Sequence, residues 1–258
     1  MDIVFEKMIE ARERGVPAAL VTIIQTKGST PRKSGSKMLV LSDGTVFGSV
    51  GGSKVEALVI EESLDCIRKN TCRKTEHTLD DEAGSDTGMI CGGWMEFFIE
   101  PLQTIAHLYI FGGGHVALPL AQLANEAGFS CTIIEDRAEY ATRERFPHAR
   151  EIKVGEPGEI AQSLTFRDTD FIAIVSRSHE QDFAVLKEVI NKNIYYLGII
   201  GSKKKKKEFF NRLKQEGVSE KFLERIHIPI GLDIGAETPE EIAFSIVAEL
   251  IKVKNTPK

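Results

Sequence analysis

The run Leu108-Tyr109-Ile110-Phe111 ends on three consecutive glycines, Gly112-Gly113-Gly114, which lead through His115 and Val116 into Ala117 and an apolar helical repeat. An apolar strand, a glycine turn and a helix in that order fit G-x-G-x-x-A. Gly112 suits the tight turn, Gly114 lets backbone approach a phosphate, and Ala117 keeps the helix close to the sheet. Free amides and the positive end of the helix dipole then face an anion. A turn of this kind can also serve packing alone. The unit recurs downstream. Apolar runs at 108–111, 131–135, 151–154, 171–175 and 196–200 read as strands covered on both faces, and helical spacing lies between them at 116–127, 138–145, 183–191 and 204–215. Repeated β-α units imply a parallel, doubly wound sheet. A last helix at 239–252 opens with Thr238 as N-cap, Pro239 at the first position and Glu241 at the third.

The first hundred residues follow another pattern. A helix at 2–14 is stopped by Gly15, and a β-rich run at 16–26 leads into a loop of Gly, Ser and Pro at 27–36. A hairpin pairs 37–41 with 45–50 around Ser42-Asp43-Gly44, helical spacing fills 53–69, and two strands at 73–79 and 95–102 flank a glycine-rich loop. The change of pattern near 101–106 divides an α/β chain into an N-terminal α+β domain, 1–103, and a Rossmann-like domain with a doubly wound parallel sheet, 104–258.

Composition excludes some functions. A formal charge of -5 over 258 residues argues against a general nucleic-acid binder. No apolar run approaches the roughly 20 residues that span a bilayer, and the start of the chain lacks the apolar core of a secretory signal, so a cytoplasmic protein without membrane association is expected. The four cysteines, Cys66, Cys72, Cys91 and Cys131, form no C-x-x-C pair, which points to thiols rather than a zinc site.

Several residues are candidates for chemistry. Gly112, Gly114 and His115 belong to the glycine turn. The second strand ends in Glu135 and Asp136, at about the spacing of a ribose-binding acid; Asp136 could equally pair with Arg137 or cap a helix. Gly201 and Ser202 precede a run of five lysines. In a first helical turn lysines oppose the dipole, each by roughly 0.3–1 kcal/mol, and a bound anion would reverse that sign. Lys203 or Lys204 is expected to reach such an anion and the rest to be solvated. At the end of the fourth strand, Arg177 can hold phosphate, while His179 could donate to a ligand, shuttle a proton, or cap the next helix. In the N-terminal half, Ser29 and Arg32 sit in a loop suited to phosphate or a planar pterin edge. Cys91, in a glycine-rich loop, is either a small buried hydrophobe or a soft ligand and sulfur carrier.

With these segments in view, the chain resembles the XdhC/CoxI family of xanthine dehydrogenase accessory factors. The resemblance rests on TKGSTPRKSGSKMLV, GSVGGSKVEA, MICGGWMEFFIEPL, LYIFGGGHVALPLAQLANEAGF, YYLGIIGSKKK and RIHIPIGLDIGAETPEEIAFSIVAEL, which cover both halves in the family's order. It implies a chaperone-like protein with no established turnover. Such a factor binds molybdenum cofactor (molybdopterin, as the monophosphate or a cytosine dinucleotide). It helps equip the metal with its sulfido ligand, drawing on a cysteine desulfurase, and serves an apo molybdenum hydroxylase, often as a homodimer. Cys91 is then the candidate sulfur or metal ligand, acting through the cofactor's molybdenum. Two positions depart from the family pattern: Ser53-Lys54 stand where the family often reads G-G-G or G-G-C before V-E, and Ser176-Arg177-Ser178-His179 replace T-H-x-H, so only His179 keeps the imidazole. Two readings compete. One is an NAD(P)-dependent oxidoreductase, suggested by the glycine turn and Asp136, although no convincing Tyr/Lys or His/Asp hydride-transfer set appears in the N-terminal half. The other is a nucleotide-sensing regulatory module.

Overall fold

The computed structural model describes residues 3–79, 93–102 and 105–256. The chain forms two compact units, Met1–Ile105 and Ala106–Lys258.

The first unit is a five-stranded antiparallel sheet with a helix against each face. Its elements are α1 (Ile3–Arg14), β1 (Ala18–Lys27), β2 (Lys37–Leu41), β3 (Val46–Gly48), α2 (Ser53–Lys69), β4 (Arg73–Thr78) and β5 (Trp94–Leu102), with strand order β3-β2-β1-β5-β4. Period-two alternation assigns the faces. Ala19, Val21 and Ile23 of β1 pack with Val55, Val59 and Cys66 of α2, whereas Ala18 and the neighbouring Leu39 of β2 pack with Val4 and Ala11 of α1. α2 ends at Asn70, which takes the left-handed conformation (φ 49°) that closes the last turn.

The second unit is the doubly wound α/β domain that the strand–helix repeat implies. It comprises β6 (Ala106–Phe111), α3 (Ala117–Glu126), β7 (Phe129–Glu135), β8 (Glu151–Val154), α4 (Pro157–Ser163), β9 (Phe171–Ile174), α5 (His179–Val189), β10 (Tyr196–Ile199), α6 (Lys203–Gln215), α7 (Glu220–Leu223), β11 (Ile226–His227) and α8 (Pro239–Asn255). The six strands are parallel in the order β11-β10-β9-β6-β7-β8, the order of a dinucleotide-binding fold, with the reversal between β6 and β9. One face carries α3 and α8, whose Ala117, Leu120, Ala124, Ile246 and Leu250 cover Leu108 and Ile110. The other carries α4, α5 and α6, whose Ala161, Leu186 and Phe209 cover Phe111, Ile134 and Ile174.

Two expectations change, and one helix appears where none was expected. Residues 138–145 form successive turns rather than a helix, closed by Tyr140 N–H to Arg137 O and Ala141 N–H to Ala138 O. Only Ala138, Tyr140 and Ala141 are apolar there and Pro147 follows at once, so no continuous apolar stripe holds a helix in place. α4 lies in a stretch without strong periodicity and depends on its start, where Glu156 accepts from Gly158 N–H and Pro157 occupies the first turn. α5 begins four residues earlier than the spacing suggests, at His179, because Ser178 caps it by accepting from Gln181 N–H.

Candidate functional site

The carboxyl ends of β6, β7, β9 and β10 form the crest of the second unit, and three helices start there. The three glycines after β6 are required for different reasons. Gly112 adopts φ 127° and donates to Ile134 O at 2.7 Å; a Cβ there would lie 2.5 Å from Val175 O. It shapes the turn and its amide is occupied. A Cβ on Gly113 would lie 2.9 Å from Tyr140 O. Around Gly114 a Cβ would meet nothing within 4 Å, so packing within the chain does not demand glycine at this position. Among the described residues, the amides of Gly114, His115 and Val116 find no acceptor in the chain. His115 is exposed and Ala117 is buried against the sheet.

The two acids after β7 divide their work. Glu135 turns inward, 3% exposed, and accepts Gly113 N–H at 2.6 Å; Arg137 reaches the same carboxylate through Nε at 2.8 Å and Nη2 at 3.2 Å. The expectation that the whole glycine turn offers amides to a phosphate therefore needs correcting: the chain's own carboxylate fills the place at Gly113. Asp136 stands further out and pairs mainly with Arg177 Nη2 at 2.6 Å and Gln181 Nε2 at 2.8 Å, while Arg137 Nε is 3.8 Å away. The neighbouring Glu135 carboxyl, then Arg177 and Gln181, hold the Asp136 carboxyl at about 2 against the opposing effect of partial burial. Arg137 lies over the Tyr140 ring, 3.8 Å from its centroid. Arg145, which no sequence motif marks, donates through Nη2 to Gly113 O at 3.1 Å while its buried Nε has no partner.

At the second corner, Ile200 N–H extends the ladder to Ile174 O and Ser202 caps α6 by accepting from Lys205 N–H. Lys203 and Lys204, the two expected to reach an anion, are exposed; the rest of the run, expected to be solvated, is not so throughout. Lys205 is buried, donating to the Asp182 carboxylate and to Ile200 O, and its Cδ would lie 2.5 Å from a Cβ on Gly201. Its position was legible from spacing: Lys205 shares the inward face of α6 with Phe209 and Leu213. Asp182 also accepts from Ser176 Oγ at 2.5 Å and Ser176 N–H at 3.2 Å; burial raises its carboxyl above the ordinary range, opposed by Lys205 and Ser176. This network ties the loop after β9 to α5 and α6. His179 is exposed in the first turn of α5, edge-on to Phe209 with ring centroids 6.3 Å apart.

In the first unit, Ser29 and Arg32 are exposed on the loop after β1. That loop closes tightly on Gly93, where a Cβ would collide with Ser29 O. The turn at Gly51-Gly52 is filled by Glu56, whose carboxylate accepts from Ser49 Oγ at 2.8 Å, Gly52 N–H at 2.9 Å and Val50 N–H at 3.2 Å. Burial pushes this carboxyl up, and those donors bring it below its ordinary range. Cys91 lies outside the described residues. Among the described residues no cluster of three His, Cys, Asp or Glu is placed to hold a metal ion, and no helix is long and apolar enough to cross a membrane.

Two family models match the chain: the XdhC Rossmann domain over residues 108–250, and the XdhC and CoxI family over residues 11–78. The chain is 35% identical to the uncharacterized protein YqeB of Escherichia coli K12, over 98% of this chain and 46% of that one. It is 31% identical to a protein of Bacillus subtilis named as a probable xanthine dehydrogenase subunit, over 61% of this chain and 46% of that one. This chain thus spans about half the length of these two relatives. It is also 23% identical to the molybdenum cofactor insertion chaperone PaoD of Escherichia coli K12, over 95% of this chain and 86% of that one. A crystal structure described as a xanthine dehydrogenase from Bacillus halodurans shares the fold, with a TM-score of 0.54 and 24% identity, over 100% of this chain and 97% of that one. The matches to both halves agree: the chain belongs to the XdhC and CoxI family.

Proposed function

We propose that this protein is an accessory factor that binds molybdenum cofactor, supports its sulfuration with a cysteine desulfurase as donor, and delivers it to an apo molybdenum hydroxylase of the xanthine dehydrogenase type. The observation that carries this reading is the open third glycine: Gly114 leaves space that a Cβ would fill, beside three amides that find no acceptor among the described residues, in a chain of this family. The names of the Bacillus subtilis and PaoD relatives support it. The cargo supplies the molybdenum dithiolene centre. This chain's residues hold its phosphate end: the amides of Gly114, His115 and Val116, the Gly201-Ser202 corner with Lys203, and the guanidinium of Arg177. The unpartnered Nε of Arg145 is a further donor beside the turn. His179, exposed at the start of α5, is the candidate donor to the ligand. Ser29 and Arg32 offer a hydroxyl and a guanidinium on the first unit for the pterin. Cys91 is assigned to sulfur handling on the strength of its glycine-rich motif; Cys91→Ala is expected to bind cofactor but to leave the hydroxylase short of its sulfido ligand.

Purification under anaerobic conditions, followed by molybdenum and pterin analysis, tests binding. Coexpression with an apo hydroxylase, followed by assay of its activity and sulfido content, tests delivery. Cofactor co-purifying with the protein and a gain in hydroxylase activity are expected. A protein that carries neither molybdenum nor pterin and leaves the hydroxylase unchanged would overturn the reading.

A further inference from the structure

Among the described residues, three close ion pairs lie at the crest, beside a longer Arg137–Asp136 contact of 3.8 Å, and they differ in access. Glu135 and Arg137 are closed on each other and on Gly113, with the carboxylate 3% exposed. Asp182 and Lys205 are buried, at 1% and 5%. Asp136 and Arg177 reach solvent, at 22% and 53%. Asp136 follows β7 and Arg177 follows β9, the two strands that flank β6. Their 2.6 Å contact therefore passes over the end of β6, where the glycine turn begins. Two strand spacings make that span roughly 10 Å, a gap that a long arginine side chain closes. Close to this strap lie the open space at Gly114 and, without partners among the described residues, the amides of Gly114, His115 and Val116 and the Arg145 Nε. A solvent-facing pair has a small net strength, whereas separating a buried one leaves a charge uncompensated. Asp136–Arg177 is thus the crest pair that a ligand can part.

We propose that this pair is exchanged on binding, Arg177 turning to a phosphate of the ligand and Asp136 accepting from the hydroxyls of a sugar diol, so that the crest selects a nucleotide over a bare phosphate. The inference rests on the reading that the crest holds a phosphate-bearing ligand, and it adds that this ligand contains a ribose. It assigns the site to a dinucleotide form of the cofactor rather than the monophosphate. A small anion that captures Arg177 leaves the Asp136 carboxylate facing a new negative charge, compensated only by Gln181 at 2.8 Å and by Arg137, which is 3.8 Å away and already engaged by Glu135. A nucleoside phosphate supplies an acceptor for Arg177 and donors for Asp136 together. The acid therefore acts against one ligand and for the other, which is how repulsive elements confer specificity.

The test is calorimetric titration of the full chain with cytidine 5′-diphosphate, its 2′,3′-dideoxy analogue and inorganic pyrophosphate. The wild type is expected to bind the diphosphate with the intact diol about tenfold or more tighter than either other probe, the scale of a hydrogen bond to a charged group. Asp136→Ala should erase the preference for the diol and tighten pyrophosphate binding. Arg177→Gln should weaken all three probes about tenfold or more, with the melting temperature of both variants near that of the wild type. Equal affinity of the wild type for the diol and dideoxy compounds, or weaker pyrophosphate binding in Asp136→Ala, overturns the exchange alone. Failure of the wild type to bind any of the three overturns the exchange together with the phosphate-site reading beneath it.

Discussion

Replacing Lys205 with methionine keeps the length of the side chain and removes its charge from the most buried ion pair described in the structure. The Lys205 Nζ donates to the Asp182 carboxylate and to Ile200 O, with the two side chains 5% and 1% exposed. Leaving one partner of such a pair uncompensated costs about 3–5 kcal/mol. Asp182 keeps two donors from Ser176, so the lower end, about 3 kcal/mol, is the expected loss. For a chain of this size that corresponds to a fall in melting temperature on the order of 6–12 °C. The sign with pH follows from burial, which already raises the Asp182 carboxyl and does so further without its lysine. An acid whose pKa is higher in the folded than in the unfolded state binds more protons when folded, so stability increases as pH falls. The Lys205→Met deficit should therefore shrink from neutral pH toward mildly acidic pH. Combined with Asp182→Asn it should shrink at neutral pH as well, because no bare charge is left behind. Urea unfolding of the wild type, both single variants and the double variant at several pH values measures all of this. A Lys205→Met protein within about 1 kcal/mol of wild type, or a double variant as unstable as the sum of its parts, would refute the reasoning.

Other outcomes follow from the same structure. His107 is buried, with Nε2 3.0 Å from Thr132 Oγ1 and Nδ1 unpartnered, and burial lowers its pKa to about 4. The unfolded chain thus binds the proton first, and stability should fall as pH drops from about 6.5 toward 4, by roughly 3 kcal/mol across that interval; His107→Gln should flatten that part of the urea-midpoint profile. Gly112→Ala should lower the melting temperature sharply, because it combines a positive φ with a Cβ 2.5 Å from Val175 O; an unchanged melting curve would show that β9 yields at that point.

Much of the architecture was readable because local chemistry and global packing agree. The helix Pro239–Asn255 declared its start through a capping box, in which Thr238 and Glu241 satisfy each other's amides. The helix Ser53–Lys69 and the strand Glu151–Val154 fall where periodicity puts them. The helix expected at 138–145 failed because its few apolar side chains have no continuous face to bury, and the turns there instead bring Tyr140 and Arg145 to the glycine corner. The crest itself was readable in outline only. Sequence spacing marked the end of β7 as the place for an acid. It could not tell that Glu135 turns into the glycine turn and Asp136 out toward Arg177, since every residue in the latter part of that strand is buried and alternation gives no clue. The sequence leaves Asp136 as a ribose-binding acid, a partner of Arg137 or a helix cap; Arg137 stands 3.8 Å away, and the nearer partners come from 41 and 45 residues away, a tertiary contact that no local pattern encodes. Glu56 and Glu135 illustrate one physical theme that motif reading missed: glycine turns expose amides, and the chain can satisfy some of them with its own carboxylates.

Equilibrium binding of purified molybdenum cofactor to the wild type and to Gly114→Val, under anaerobic conditions and with melting temperatures recorded alongside, is the most direct measurement. A Cβ at Gly114 meets nothing within 4 Å and the residue is not among the glycines with positive φ, so the variant should melt close to the wild type. Its branched side chain would stand in the space above the free amides, so cofactor affinity should fall about tenfold or more. A stable Gly114→Val protein that binds the cofactor as tightly as the wild type would contradict a phosphate site at the crest.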